Sequence, residues 1–366
     1  MNDESLLRFH RRAVATRSVS GEEDALAADV AAILANAGAA PERLGTNVWA
    51  VVGPADAPLL CLCTHLDTVP PAPGWTRDPL VPEVVAGRIY GLGSNDAKAS
   101  VAAMTAATLR LAPDLDALGL RLLLALTAEE ETGGAGAEAL VPHLAARGLR
   151  PAAVIVGEPT GLDVAVAQKG LLVLELVAHG DACHAAHGRA TGARNAIHGL
   201  ARDLVALAGL DLGPSHPALG PVTLEPTLLR GGTARNMVPA EASCLLDVRV
   251  NPEPAPQAVA VRIRGVCEGE VRVVSDRLAP CETDAGHPLV QAALGARPGA
   301  RAFGSRGVSD WVFWAKVAPA IKVGPGRSER SHTADEYVEE AEVLAGARFY
   351  EEAVRRCAGR LGPAAP

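Results

Sequence analysis

The chain has 366 residues, 49% of them hydrophobic and 21% charged, with a formal net charge of −8 at pH 7. That is long enough for two domains around a sizeable core and too apolar for a disordered chain. No basic run points to nucleic acid, the 3% of aromatic residues offers no stacking platform, and no apolar run approaches the roughly 18 residues of a membrane span.

The opening MNDESLLRFHRR sets acids ahead of any apolar run and reads as no secretory signal. The cysteines are Cys61, Cys63, Cys183, Cys244, Cys267, Cys281 and Cys357, an odd number with no zinc-knuckle spacing. They read as reduced thiols of a cytoplasmic protein. Cys61 and Cys63, two apart in a strand, share one of its faces.

In chain order, Ser20–Gly38 opens on Ser20, Glu22 and Glu23 and then spaces Ala, Leu and Val helically, which predicts a capped amphipathic helix. Asn47–Val52 is a strand. Leu59–Cys63 is a continuous apolar run and predicts a buried strand, which releases Thr64, His65, Leu66 and Asp67. A Pro-rich loop with Trp75 follows over 70–82. Arg88–Gly93 is a short strand entering a Gly turn that carries Ser94, Asn95 and Asp96, and Lys98–Leu111 is an Ala-rich helix. Gly119–Thr127 is a largely apolar strand, followed after Ala128 by Glu129, Glu130 and Glu131. A helix runs from Gly133 to about Ala146, and Ala152–Val156 is another buried strand, ending in Gly157, Glu158 and Pro159.

Apolar strands alternating with helices predict a buried parallel sheet. Each strand delivers its acids or its His at its C-terminal end, the rim where open α/β sheets bind ligands. His65, Asp67, Glu129, Glu130, Glu131 and Glu158 gather there, with Asp96 from the neighbouring turn. A neutral imidazole can ligate a cation while a carboxylate fixes its other nitrogen; a hydrogen-bonded strand-end His is the plainer alternative. A solvated acidic rim is disfavoured, because crowded glutamates beside buried strands repel one another unless a cation neutralises them.

From Gly170 the pattern changes. Leu171–Ala178 alternates as a strand, Asn195–Leu207 is a helix, Val222–Arg230 and Glu241–Val250 are strands, Ala255–Gly265 is a helix and Glu270–Ser275 a strand. This β-α-β-β-α-β order predicts a ferredoxin-like α+β domain inserted into an α/β domain. The α/β pattern then resumes with a helix at Pro288–Leu294 and a Gly/Ser loop at Gly304–Asp310. The strand Pro319–Val323 runs into Gly324, Pro325 and Gly326. Ser331–Glu336 (SHTADE) and a helix from Glu339 to Arg360 complete it. The expected division is 1–170 and 278–366 for the outer domain and 171–277 for the insert.

The ordered set His65-x-Asp67, Asp96, Glu130–Glu131, Glu158 and His332 resembles the M20 family of two-zinc metallopeptidases, in particular its acetylornithine deacetylase and succinyl-diaminopimelate desuccinylase group, over nearly the whole chain. The resemblance implies an α/β zinc-peptidase catalytic domain with an inserted ferredoxin-like dimerisation domain, and two Zn2+ for which Co2+ or Mn2+ substitute. It implies that Asp96 bridges the ions, that His65 and Glu158 complete one and Glu131 and His332 the other, that Glu130 is the general base and that Asp67 orients or tunes His65. Such a donor set suits zinc, and a free carboxylate beside a ligand carboxylate can carry a proton from water to the leaving nitrogen. Glu129 is read as packed behind the ligands, or equally as a solvated strand-end acid.

In the insert, Gly180-x-x-x-His184 resembles the family segment whose His reaches the partner subunit's site and binds the oxyanion, with His179 and His187 as neighbouring alternatives and a surface-loop His as the plain one. Asn236 and Arg249 fall in segments resembling those that position substrate. A guanidinium grips a carboxylate bidentately, but for Arg249 a strand-surface salt bridge competes. Gly307, Ser309 and Gly324 sit where relatives close the pocket. Asp96-Ala97-Lys98-Ala99 departs from the family's usual Asp-Met-Lys-Gly. Arg327 and Arg330 either favour an anionic substrate side chain or face water.

The expectation is a cytoplasmic homodimeric deacylase, dimeric through the insert, acting on a small N-acyl amino acid and on neither nucleic acid nor membrane. N-acetyl-L-ornithine, in amino-acid biosynthesis, is the first substrate. Desuccinylation of succinyl-diaminopimelate, deacylation of acetyl-lysine or acetyl-citrulline, and dipeptide hydrolysis are the alternatives. A non-catalytic amino-acid-binding relative is the alternative of another class.

Overall fold

The computed structural model describes residues 1–362, so the last four positions of the expected 278–366 segment lie outside the described residues. The chain divides into two compact units. One combines Met1–Val166, Thr283–Phe303 and the chain from Ser309 onward; the other is Ala167–Glu282 with Gly304–Val308. The sequence reading had kept Gly304–Val308 with the outer domain. The segment joins the insert because the Lys169 N–H donates to the Ser305 carbonyl at 3.0 Å and a bare Cα at Gly304 lets the Ala218 carbonyl approach.

The first unit is built on a mixed sheet. Its strands run in the order Glu42–Leu44, Asn47–Val52, Arg121–Thr127, Leu59–His65, Ala153–Val156, Ala320–Lys322 and Val164–Gln168. The four from Arg121–Thr127 to Ala320–Lys322 are mutually parallel, as the continuous apolar runs predict. Asn47–Val52 is antiparallel to its neighbour, and so is Val164–Gln168, a strand absent from the sequence reading. Leu59–His65 is buried at every position because helices cover both faces. Leu60 and Leu62 pack into the cluster formed with helices Asp3–Ala15, Lys98–Leu111 and Glu340–Cys357. Cys63 faces the other way, where the Trp314 indole N–H donates to its sulfur at 3.0 Å. Each buried leucine contributes about 2 kcal/mol, so these strands are fixed and their ends are held level.

One early expectation changes, and one helix was not anticipated. Asp3–Ala15 is a helix, started by Asn2, whose side chain accepts from the Ser5 N–H. The next helix is Asp24–Asn36, and Ser20 is not its cap. The Ser20 hydroxyl is used elsewhere, as described below.

The second unit is an antiparallel sheet in the order Thr223–Gly231, Glu241–Val250, Gly170–His179, Glu270–Leu278, the strand order of a ferredoxin-like βαββαβ chain. Helices Ala196–Leu207 and Pro256–Arg264 bury Leu200, Leu207, Val259 and Ile263 against Leu174, Leu176, Leu246 and Val248 on one face. All seven cysteines are free thiols. Among the described residues no helix is long and apolar enough to cross a membrane.

Candidate active site

Strand register gathers the site. His65 closes its strand opposite Thr127, so the chain leaving Thr127 delivers Glu129–Glu131 beside the imidazole. On the other flank the Gly157 N–H donates to the Cys63 carbonyl at 2.7 Å and the Thr64 hydroxyl to the Gly157 carbonyl at 2.7 Å, which brings Glu158 to the same edge.

The Glu turn is shaped by its backbone. Glu129 adopts φ +56°, in the left-handed region that non-glycine residues enter at a cost of about 1 kcal/mol. Its N–H is held by Glu23 Oε1 at 3.2 Å. Asp67 then supports the next two residues. Its Oδ1 accepts the Glu130 N–H at 3.0 Å, and its Oδ2 accepts the Glu131 N–H at 3.1 Å and the Ser20 hydroxyl at 2.6 Å. Asp67 also lies by His65, whose Nδ1 is 3.0 Å from the Asp67 carbonyl and 3.4 Å from Oδ1. Asp67 is thus in contact with the imidazole, and in addition it anchors the Glu130–Glu131 turn, which the sequence reading missed.

Asp96 lies between two imidazoles. Its Oδ1 is 3.3 Å from His65 Nε2 and its Oδ2 is 3.8 Å from His332 Nε2. His332 also reaches Glu131 Oε1 at 2.9 Å, and His65 lies 3.9 Å from Glu158. Donor atoms of His65, Asp96 and Glu131 all lie within 4.8 Å of one another, as do those of His65, Glu130 and Glu158. All five expected ligands and the expected base thus converge.

The electrostatics are those of a site with too many anions. Burial, with Glu158 next to it, raises the Glu130 carboxyl well above its ordinary range. Burial and then Asp96 push Glu158 up to about 8. Burial works against a charged His65, but the Asp67 and Asp96 carboxylates outweigh it and raise its pKa well above the usual value. The Glu131 hydrogen bond lifts His332 to about 9. Mixed imidazole and carboxylate donors a few ångströms apart, with acids that ionise only at a cost, fit a pair of divalent cations.

Two further acids belong to this region. Asp310 is buried, accepts the Thr127 hydroxyl at 2.6 Å and is pushed up to about 6 by burial. Glu336 is buried beneath the Asp96 turn. Both lay in segments singled out in the sequence, GSRGVSD and SHTADE, but no spacing rule distinguished them from the acids around them.

The remaining expected residues are dispersed. Ser309 is buried in the first unit, in the turn before Trp311–Trp314. Gly324 is a packing position, where a Cβ would come within 2.7 Å of the Glu158 carbonyl and of the Ser100 hydroxyl. Gly307 is exposed in the second unit. In that unit His184 and Asn236 are neighbours, since His184 pairs with Met237 and the Ala185 N–H donates to the Asn236 carbonyl at 2.8 Å. His187 lies 5.7 Å from His184, ring to ring, whereas His179 faces Glu241 and Glu270. Arg249 places its fork on Asp247 at 2.8 and 3.1 Å, the salt bridge weighed against a substrate role. Arg330 is likewise committed, to Glu342 at 2.6 Å and over the Tyr337 ring. Arg327 lines a cavity of about 640 Å³ with Thr160, Arg297, Arg301 and Phe303 rather than the ligand cluster.

Comparison with known proteins agrees with this geometry. The family described as peptidase family M20/M25/M40 matches residues 61–356. A succinyl-diaminopimelate desuccinylase of Rhizorhabdus wittichii is 32% identical over 342 residues, covering 87% of this chain and 86% of that protein. Among solved structures, the aminopeptidase PepT of Bacillus cereus superposes with a TM-score of 0.81 at 20% identity, covering 98% and 99% of the two chains. A dinuclear metal-binding M20 peptidase of Bacillus subtilis superposes with a TM-score of 0.75 at 16% identity over 98% and 99%. With its sheet ends, donor cluster and sequence in accord, the chain belongs to peptidase family M20/M25/M40 and is a metal-dependent hydrolase of amide bonds.

Proposed function

We propose that the chain hydrolyses the amide of an N-acylated amino acid at a pair of zinc ions held by His65, Glu158, Asp96, Glu131 and His332, with N-succinyl-diaminopimelate as the first substrate to test. The observation that carries the two-ion reading is Asp96, which offers one carboxylate oxygen to each imidazole, at 3.3 and 3.8 Å. The substrate choice rests on relatives at about one-third identity that bear the desuccinylase name. N-acetyl-L-ornithine, the first expectation from sequence, finds no such support and moves to second place.

When bound, the ion pair supplies Lewis acidity, which polarises the amide carbonyl and acidifies water. The protein's own residues do the rest. Glu130 takes the proton from the attacking water and returns it to the departing nitrogen. Asp67 keeps that carboxylate aimed by holding its backbone N–H, and fixes the His65 tautomer from the far side. His184, from the inserted unit of a partner subunit, donates to the developing oxyanion, with Asn236 beside it on the substrate. The exposed edge strand Thr223–Gly231, with Leu228 and Leu229 in water, supports dimerisation through this unit.

The test combines elemental analysis of the purified protein with amine release from N-succinyl-diaminopimelate, N-acetyl-L-ornithine and a dipeptide, with and without chelator. Two ions per chain and a chelator-sensitive release led by the succinyl substrate are expected. Release led by another substrate overturns the substrate choice alone. No release from a two-ion protein on any of these substrates refutes the N-acyl amino acid reading, and fewer than two ions per chain refutes the paired-metal reading.

A further inference from the structure

The two halves of the donor cluster are held differently. His65 is the last residue of a fully buried strand, Glu158 leaves the strand beside it, and Glu130 and Glu131 hang from Asp67. Asp96 and His332 both lie on irregular backbone. Asp96 sits in the turn before helix Lys98–Leu111, whose first residues have no side-chain cap of their own. His332 adopts φ +61° and Asp335 φ +54°, conformations that non-glycine residues keep only when their surroundings impose them.

Glu336 ties this stretch to the Asp96 turn. It is 2% exposed, and its Oε1 accepts the backbone N–H of Asn95 and of Asp96, both at 2.9 Å, while its Oε2 accepts that of Gly93 at 3.1 Å. Its own carbonyl takes the Gly91 N–H at 3.0 Å. Three backbone N–H groups of the turn that precedes Ala97, the N-cap of this helix, thus receive a carboxyl acceptor from a residue remote in sequence. Buried Lys98, bonded through Nζ to the Thr16 carbonyl at 2.9 Å, lies close enough for opposite charge to act on it. Asn95 ties the same two segments from the other side. Its Oδ1 accepts the Arg327 N–H at 2.8 Å, and its amide donates to the Arg327 carbonyl at 3.0 Å and to the Ser331 hydroxyl at 3.1 Å. The bare Cα of Gly326 makes room for that amide.

We propose that Glu336 is a positioning residue for the metal pair, its carboxylate setting Asp96 against His332 through the backbone of residues 93–96, with Asn95 as the second tie. The proposal rests on the two-ion reading above. It makes the ion held by Glu131 and His332 the dependent one, because His332 is half exposed and touches only Glu131 and Asp96 within the cluster. The ion of His65 and Glu158 keeps its strand-end support without Glu336. Glutamine at 336 retains the shape but turns an amide N–H₂ toward backbone donors, so at least one of the three hydrogen bonds is lost.

The test is stepwise zinc titration of the metal-free protein against a competing chromophoric chelator, with circular dichroism and elemental analysis, for the wild type, Glu336→Gln and Asn95→Ala. In Glu336→Gln the weaker of the two affinities is expected to fall roughly 10- to 100-fold while the tighter one stays at the wild-type value, with unchanged helix content. Asn95→Ala should move the same affinity in the same direction. Two wild-type affinities in Glu336→Gln overturn the proposal, and so does an equal loss of both alongside a lowered melting temperature, the mark of a merely structural role. If Glu336→Gln does not fold, Asn95→Ala decides by the same criterion. A wild type that takes up only one ion refutes the two-ion reading instead, so the two failures are told apart.

Discussion

His10 makes acid stability a quantitative test of the packing around the Asp96 turn. It lies on the buried side of helix Asp3–Ala15, fully enclosed, with Nε2 2.8 Å from the Ser94 carbonyl. Burial pushes its pKa down to about 4, from 6.5 in an unfolded chain. The native state therefore keeps a neutral imidazole over a range where the unfolded state binds a proton. With more protons on the unfolded chain, stability rises with pH through this window. The contribution is fully present above about pH 6.5 and drains away as pH falls toward 4, with a total of about 3 kcal/mol at one proton and 1.36 kcal/mol per pH unit. Urea unfolding of metal-free wild type and His10→Gln, from pH 7.5 to pH 4, isolates the effect. The site carboxylates titrate alike in both proteins and cancel in the difference. Gln reaches the Ser94 carbonyl but cannot protonate, so the wild type should lose about 3 kcal/mol of its stability relative to the variant across the range. A difference that stays flat within about 1 kcal/mol would refute the assignment of a buried neutral His10.

Three further outcomes follow from the site. Glu130→Gln should lower turnover roughly 10²- to 10⁴-fold while zinc content by elemental analysis stays at the wild-type value; lost zinc would make Glu130 a ligand rather than the base. Asp67→Asn puts an amide N–H₂ against the Glu130 or Glu131 N–H and should cost about 2 kcal/mol in urea unfolding, together with a drop in kcat; unchanged values of both would show that the turn holds itself. His184→Ala should reduce kcat with the circular dichroism spectrum and the zinc content unaltered, and a wild-type rate would remove His184 from the chemistry.

The parts of this molecule that were legible in the sequence are those in which one residue type repeats with a period. The buried strands at Leu59, Gly119 and Ala152 appear as continuous apolar runs, and their C-terminal ends identified the rim, because a parallel sheet sends every such strand out on one side. The insert's four strands and two helices were legible because each alternates or steps in a pattern one buried face enforces. Val164–Gln168 escaped because its short run VAVAQ lies close behind the turn that follows Glu158 and carries no punctuation of its own. Ser20 was misread because a serine before two glutamates is what a helix start looks like; only the fold shows that its hydroxyl is spent on Asp67. The converging donor groups were legible through their order along the chain, whereas Glu336 and Asp310 were not, since the backbone N–H groups and the hydroxyl they serve leave no mark in the sequence.

Asp67 and Glu336 answer the same physical need. Metal ligands on irregular turns must be held by something, and what such a turn exposes is a row of backbone N–H groups, which only an acceptor can satisfy. A carboxylate is the strongest acceptor available, so each ligand turn rests on an acid: Glu130–Glu131 on Asp67, and Asp96 on Glu336. This solution adds buried acids to a cluster already crowded with them, and burial raises the Glu130, Glu158 and Glu336 carboxyls alike. Lys98 and Lys322 offset part of that charge from beneath, beside Glu336 and Glu158 respectively. The remainder must be met by protons in the metal-free protein or by cations in the loaded one. A monocation would leave most of the repulsion in place, whereas two dications held by His65, Asp96, Glu131, Glu158 and His332 would remove it. The supporting acids therefore hold the two turns that carry the donor atoms, and a cluster so crowded with acids would favour divalent ions over monovalent ones.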